Sequence, residues 1–294
     1  MCSTFFLHYQ RHIVILLLLL SLFEARGQSQ KYRIYGNKSY IEFLNKQGIY
    51  PEKDEGKALE PKNPITLSLS FVTMVEGITK DQLSAQIKSL NEDFSNKTFE
   101  ASDNKSPYYK QLATDTGISF CSEFSFVKGD TKVEIKYDFA TASALVKNNK
   151  VAFGTIPIYI VAFDNMAGYA QAPGYPVETD AIFIDKDFLW GTKTEAYALG
   201  KTLTHLIGIY LGLGELWDCT DDDIFDTPLM SVEHFDHEGS LSSCYRYVVY
   251  TQPQNFMYNT QDKYMNMFSR GQKEGLWLEL STRRQSLLQT APCK

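Results

Sequence analysis

The sequence lacks an excess of basic residues and has no apolar run long enough to cross a membrane. Its 294 residues contain 29 lysines and arginines against 35 aspartates and glutamates, which gives a net charge of −6. Because nucleic-acid-binding proteins usually present a basic face, this balance predicts no nucleic-acid partner. An apolar run at residues 13–23 is shorter than the roughly 20 residues of a membrane span. We found no internal repeat.

The same apolar run has the pattern of an export signal. Arg11 and His12 precede it, and the small residues Ala25 and Gly27 follow at the spacing of a cleavage site. We therefore expect residues 1–27 to be a signal peptide. The mature protein is then secreted, either periplasmic or extracellular, and has no membrane span.

Cysteine and histidine are both scarce. Cys2 lies in the signal segment, so four cysteines remain, namely Cys121, Cys219, Cys244 and Cys293. An even number in an exported chain predicts two disulfides, for which three connectivities exist. Free buried thiols are the alternative.

Residues 28–61 are polar, contain a short helical pattern around residues 40–44, and are predicted to be a surface-packed N-terminal extension without visible chemistry. After them, alternating apolar and polar residues predict a half-buried strand over 65–72. Thr79 and Gln82 have the spacing of a capping box at the start of an amphipathic helix. Further strands that alternate with two long helices predict a twisted mixed α/β sheet.

The stretch Lys201–Glu215 reads KTLTHLIGIYLGLGE. A zinc-peptidase helix carries two histidines at i and i+4, a glutamate directly after the first, and a third ligand beyond a glycine turn. Here His205 is the one ligand that is retained. Leu206 replaces the general base, while Ile209 and Glu215 stand at the other two ligand positions.

The residues around this stretch resemble the pappalysin family of metzincins (ulilysin-like peptidases), whose members read T-L-x-H-E-x-G-H-x-L-G-L-x-H there. The matching positions are Thr202, Leu203, His205, Gly208, Leu211, Gly212 and Leu213. Three other segments match the family in its order, namely residues 90–94 (LNEDF), 166–174 (MAGYAQAPG) and 255–268, which contains NFM and MNMF. The resemblance covers residues 62–280.

The resemblance implies a metzincin-like zincin fold of the α/β (α+β) class. We expect a twisted mixed five-stranded sheet with two long helices in an upper subdomain, residues 62–213, above an irregular lower subdomain, residues 214–294. A substrate cleft would lie between them. Met257 is then the methionine of the turn beneath the metal, and Asn259 replaces the tyrosine that assists the tetrahedral intermediate in such enzymes.

Pappalysins carry disulfides in the loop-rich segment after the helix, which implies a pairing of Cys219 with Cys244. Cys121 and Cys293 would then form the second pair. Tyr264 stands where the family has a further cysteine, so the family's own pairing does not transfer directly.

Five carboxylates fall within the nine residues 218–226. Hard oxygen ligands at this density suit calcium. The loop resembles the family's D-D-x-x-x-D-T-P calcium loop, which implies Asp222, Asp223, Asp226 and Thr227 as ligands. A solvated acidic loop is the alternative.

A catalytic zinc site needs three protein ligands and a group that accepts a proton from the bound water. We therefore expect no zinc and no zinc-dependent cleavage. The predicted function is that of a pseudopeptidase whose cleft binds a peptide or protein along an edge strand. One alternative is an active zinc endopeptidase that uses His205, Glu215 and either His234 or His237. Another is an interaction protein with a closed cleft.

Overall fold

The computed structural model describes residues 33, 35–46, 48, 64–98, 112–128, 139–231, 241–244, 247–289 and 293. The predicted signal peptide and both His234 and His237 lie outside these residues.

A twisted central sheet is built from strands β1 (Ile65–Thr73), β2 (Ile118–Phe120), β3 (Ser125–Lys128), β4 (Thr155–Val161), β5 (Gly168–Ala170) and β6 (Ile182–Asp185). The order is β2-β1-β4-β6-β5, and β3 pairs with the second half of β1 beyond β2. The sheet is therefore five strands across. All pairs are parallel except β5 with β6, so β5 is an antiparallel edge strand.

Among the described residues, four helices accompany the sheet, namely α1 (Asn37–Lys46), α2 (Lys80–Phe94), α3 (Phe139–Asn148) and α4 (Lys201–Tyr210). Alternate residues of β4 separate two apolar layers. Ile156, Ile158 and Ile160 face the core that contains apolar residues of α2 and α4. Tyr159 and Val161 face a second cluster with residues of α1 and α3. Burial on both faces explains why β4 is continuously apolar in sequence.

The predicted start of α2 is half correct. The hydroxyl of Thr79 accepts a hydrogen bond from the amide of Gln82 at 3.1 Å, as an N-cap should. The side chain of Gln82, however, donates to the carbonyl of Trp190 at 3.0 Å. A tertiary partner thus competes with the local bond that would complete a capping box.

The lower part contains a β7–β8 hairpin (Leu241–Cys244 and Tyr247–Tyr250) and a last helix, α5 (Arg270–Ser281).

The predicted disulfides are confirmed, since Cys121 pairs with Cys293 and Cys219 with Cys244, at Cα–Cα distances of 5.5 and 5.4 Å. No described helix combines the length and the apolar character that a bilayer crossing requires.

The N-terminal extension is more than a surface appendage. Tyr40 and Leu44 of α1 are buried in the second apolar cluster. The ring of Tyr40 contacts Phe139 and Tyr169, with centroids 5.1 and 4.7 Å away. Residues of the predicted extension therefore form part of the core.

Candidate functional site

Helix α4 places His205 in the interior, below the edge strand. Its Nδ1 lies 2.8 Å from the carbonyl oxygen of Phe256, so Nδ1 carries the proton and donates. Its Nε2 lies 3.6 Å from Oε1 of Glu215, which is too long for a hydrogen bond. Burial lowers the pKa of His205, although Glu215 and the Phe256 carbonyl oppose this shift. The imidazole is therefore neutral at pH 7.

Two aromatic rings cover the imidazole. Tyr35 stacks on His205 with a centroid distance of 4.0 Å and an interplanar angle of 17°. Trp217 lies nearly parallel to the imidazole, with its centroid 5.7 Å away. Burial raises the pKa of the Tyr35 phenol, which therefore stays protonated. The histidine that a metal would need is enclosed among apolar ring surfaces.

The positions of the missing base and second ligand belong to the core. Leu206 is fully buried, and a Cβ placed on Gly168 would come within 2.8 Å of its Cδ1. Leu206 therefore packs directly against strand β5. Ile209 is also buried and has no donor atom for a metal. These two side chains stabilise the packing of α4, at about 1.5 to 3 kcal/mol for each fully buried residue.

Glu215, at the third ligand position, is held by the N-terminal part of the chain. Its Oε1 accepts a hydrogen bond of 2.7 Å from the side-chain amide of Asn37. The oxygen of the same Asn37 side chain accepts from the backbone amide of Ala170 at 2.8 Å. Asn37 thus links the third ligand position to the edge strand.

Met257 contacts α4, and Asn259 contacts the N-terminal part of the chain. A Cβ on Gly208 would lie 2.4 Å from the sulfur of Met257, so the thioether packs closely against the helix at this glycine. Asn259 is buried and donates to the carbonyl of Arg33 at 3.0 Å. Met257 therefore packs against α4, and its role as the turn methionine stays a prediction, while Asn259 binds the N-terminal segment.

The N-terminal segment, defined here as the described residues 33 and 35–37, lies along the edge strand. Tyr35 forms a parallel bridge with Gly168. The amide of Gly36 donates to the carbonyl of Gly168 at 2.9 Å. The edge at which an external peptide would add is therefore covered by the protein's own chain.

Arg33 anchors this segment. Its side chain is fully buried, its Nη1 lies 2.9 Å from Oδ1 of Asp262, and its guanidinium stacks on the ring of Tyr197 at 4.6 Å. The other oxygen of Asp262 accepts from the amides of Leu199 and Lys201 at 3.0 and 3.3 Å. Asp262 therefore joins Arg33 to the first turn of α4.

A second buried ion pair fixes the same end of the helix. Lys201 donates to Asp93, which lies at the end of α2, and Thr204 donates to the other oxygen of Asp93 at 2.5 Å. Asp93 belongs to the LNEDF segment that carries part of the family resemblance. Its role here is to hold the helix that carries His205.

The acidic loop uses its carboxylates within the protein. Both oxygens of Asp222 accept from the hydroxyl of Thr227 at 2.8 Å, and burial raises the pKa of Asp222 to about 6. Asp226 accepts from the hydroxyl of Ser269 at 2.6 Å and the amide of Gly271 at 2.9 Å, at the start of α5.

Among the described residues, no group of three or more histidine, cysteine, aspartate or glutamate side chains is arranged to hold a metal ion. The residues at the three zinc positions do not fit zinc, because they supply one buried imidazole, one carboxylate held by an amide, and one alkyl chain. Calcium at the acidic loop stays a prediction.

The segment at Arg33 and Tyr35 is the part of the site that sequence reasoning missed. One weak signal exists, since residues 32–35 place an arginine and two tyrosines within an otherwise polar extension. Nothing local indicates that these residues contact α4 more than 160 positions away.

The described residues form a metzincin-like fold, a mixed twisted sheet packed against the buried helix α4. No protein-family model and no curated protein matches the chain. Solved structures do match, and they confirm the fold that the sequence resemblance implied.

One is mirolysin in complex with compound 9, with 22% identity and a TM-score of 0.62 over 73% of this chain and 91% of that one. Another is a promirolysin mutant from Tannerella forsythia, with 22% identity and a TM-score of 0.67 over 85% and 89% of the two chains. A third is mature mirolysin from the same organism in complex with a cleaved peptide, with 21% identity and a TM-score of 0.63 over 79% and 100%. At this identity the likeness establishes the fold.

Proposed function

We propose that the protein is an exported pseudopeptidase. It has a metallopeptidase-like fold, does not hydrolyse peptides through zinc, and uses the cleft beside β5 to bind an extended peptide or protein segment. The observation that carries the proposal is the pairing of Tyr35 and Gly36 with Gly168, directly above Leu206 in the position of the general base.

The absence of hydrolysis follows from the chemistry of the side chains. Zinc hydrolysis requires three ligands and a polarised water beside a base. Ile209 cannot bind a metal and Leu206 cannot accept a proton. Tyr35 lies on the face of His205, and Asn37 donates to Glu215, so both remaining polar groups have other contacts. Restoring activity would require at least two substitutions and removal of the N-terminal segment.

Peptide binding is supported by the way in which the edge strand is already used. Addition of an extended segment to a sheet edge relies on backbone hydrogen bonds and needs no metal. The protein's own segment makes such a bond, from Gly36 to Gly168. A structural neighbour, mature mirolysin, is described in complex with a cleaved peptide. The same edge is therefore our proposed site for an external segment.

The covered edge weighs against a cleft that is open at rest. An external peptide has to displace Tyr35 and Gly36, so its apparent dissociation constant equals the intrinsic constant divided by the fraction of molecules in which the edge is free. We accordingly expect weak binding by the resting protein and stronger binding when the segment is weakened.

The test combines hydrolysis and binding on the mature, disulfide-bonded protein. A quenched-peptide assay with and without chelator, together with metal analysis, should show no chelator-sensitive cleavage. A fluorescent peptide library should bind to the Gly36→Pro variant about tenfold or more tightly than to the wild type, because proline removes the amide that bonds to Gly168. Gly77→Ala, at an exposed turn away from the cleft, is the control.

Stoichiometric zinc with chelator-sensitive cleavage would instead establish the alternative, an active endopeptidase with a non-standard ligand set. If neither the wild type nor Gly36→Pro bound any peptide, the binding half of the proposal would be wrong and the protein would be an interaction protein with a closed cleft.

A further inference from the structure

A cavity lies where α3 and α4 end and β4 begins. It has a volume of about 700 Å³ and shares no lining residue with the proposed peptide site beside β5. Small-molecule sites in proteins commonly have volumes of roughly 300 to 1,000 Å³ and mostly apolar walls. The cavity therefore has the dimensions of a ligand site.

The walls are largely apolar. Pro157 and Tyr159 of β4 contribute to the lining, together with Val151 and Leu287. Phe153 stands at the cavity with 76% of its surface exposed to solvent. Few large aromatic side chains in the described part of the chain are as exposed as Phe153. Phe153 therefore adds apolar surface at the mouth of the cavity.

The polar groups deep in the cavity already have partners. The hydroxyl of Tyr159 donates to the carbonyl of Asn149 at 2.7 Å, and that of Tyr210 donates to Asp180 at 2.8 Å. Arg284 neutralises the same carboxylate at 2.5 Å and stacks on the ring of Tyr210 at 3.8 Å. Because these groups are satisfied, the part of a ligand that enters the cavity gains most when it is apolar.

The exposed charges at the cavity are mainly positive. Lys147, in the last turn of α3, and Lys150, just beyond it, are both exposed. Glu178 is the single exposed acid among the lining residues. With Asp180 paired to Arg284, the two lysines leave a net positive mouth that attracts an anionic group.

We infer that this cavity binds a carboxylate amphiphile, with its apolar chain against Pro157 and Leu287 and its carboxylate beside Lys147 and Lys150. This inference is independent of the proposed cleft function. It assigns the cavity a ligand class from two features that occur together, a largely apolar lining in which the hydroxyls of Tyr159 and Tyr210 already have partners, and a basic mouth.

Calorimetric titration of the mature protein with dodecanoate, below its micelle concentration, tests the inference. We expect saturation at one ligand per chain. Lys147→Gln and Lys150→Gln should each weaken dodecanoate binding about two- to fivefold, since an exposed charge contact contributes little. Neither change should alter the binding of dodecanol, and Lys88→Gln, which removes an exposed lysine elsewhere, serves as the matched control.

Cavity filling provides a second arm. Ala152→Trp and Ser286→Trp each introduce a bulky ring from a different segment of the lining, and each should weaken the binding of both dodecanoate and dodecanol tenfold or more. Unchanged thermal unfolding of each variant verifies its fold. The inference is overturned if dodecanoate does not saturate, if it binds unchanged in both tryptophan variants, or if dodecylamine binds as tightly as dodecanoate.

Discussion

Replacing Arg33 by methionine tests whether the N-terminal segment is an integral part of the fold. The guanidinium is fully buried, lies 2.9 Å from Asp262, and donates to the carbonyl of Thr260. Methionine fills much of the same volume without a charge, so it leaves the Asp262 carboxylate buried without its cation. Removing one partner of a buried ion pair costs about 3 to 5 kcal/mol. The free energy of unfolding should fall by this amount.

Urea unfolding of the mature, oxidised chain at pH 7 measures the loss. Asp262→Asn in the same chain removes the unpaired charge and keeps an oxygen that can accept from Leu199 and Lys201. The double variant should therefore recover more than about 1 kcal/mol relative to Arg33→Met alone. Loss of the Arg33 anchor should also uncover the edge strand, so Arg33→Met should bind the fluorescent peptides more tightly than the wild type.

The stability that Arg33→Met loses should depend on pH, and the titration of Asp262 determines the direction. Burial raises the pKa of Asp262, and the charge of Arg33 opposes this effect in the native protein. Without Arg33, the folded pKa lies further above the unfolded value of about 3.9, so protonation favours the folded state. The difference in free energy of unfolding between the wild type and Arg33→Met should be small near the unfolded pKa of Asp262 and should grow as the pH rises. A loss below about 1 kcal/mol at pH 7, or a deficit independent of pH, would refute the reasoning.

Three further changes follow from the described contacts. Leu206→Glu puts an unpaired carboxyl into the core and should destabilise the protein by about 3 to 5 kcal/mol in urea unfolding, without cleavage of a quenched peptide, because Ile209 still provides no ligand. Asp222→Asn should raise the unfolding temperature at pH 7 but not at pH 4. Burial raises the pKa of Asp222 to about 6 in the folded protein, so ionisation of this carboxyl destabilises the folded state as the pH rises. An equal effect at both pH values would contradict this. Gly212→Ala should lower the free energy of unfolding by more than about 1 kcal/mol in the same urea assay, because Gly212 has a φ of 95° and a Cβ there would lie 2.2 Å from Cγ of Glu279. Gly191→Ala is the control, since Gly191 also has a positive φ but no atom near its Cβ position, so it reports the backbone cost without the clash.

Much of the local structure could be predicted from sequence. The Thr79 cap, the existence of strand β1 and the glycine that ends α4 are short-range patterns with a direct physical cause. The prediction that β1 is half-buried was wrong for its second half, because Leu69 to Thr73 are all buried in the middle of the sheet. The resemblance in four separated segments also led to the correct fold. Both disulfide pairs agreed with what it implied, although Tyr264 departs from the family's cysteine pattern.

The role of the N-terminal extension could not be predicted. Its helix was visible as a pattern, but the burial of Tyr40 and Leu44 depends on α3 and on the face of the sheet. The position of Tyr35 on His205 likewise depends on contacts across 170 residues. Local periodicity carries no information about such pairs, because their energy arises only when the distant elements pack together.

The sequence by itself determined what the side chains at two positions cannot do. Leucine at position 206 cannot act as a base and isoleucine at position 209 cannot bind a metal, whatever the fold, because the atoms required are missing. The tertiary structure alone decided what occupies the space instead. It placed Tyr35, Asn37 and Arg33 around the retained His205 and Glu215, because burial of the arginine requires a carboxylate partner, and Asp262 lies beside the first turn of the same helix.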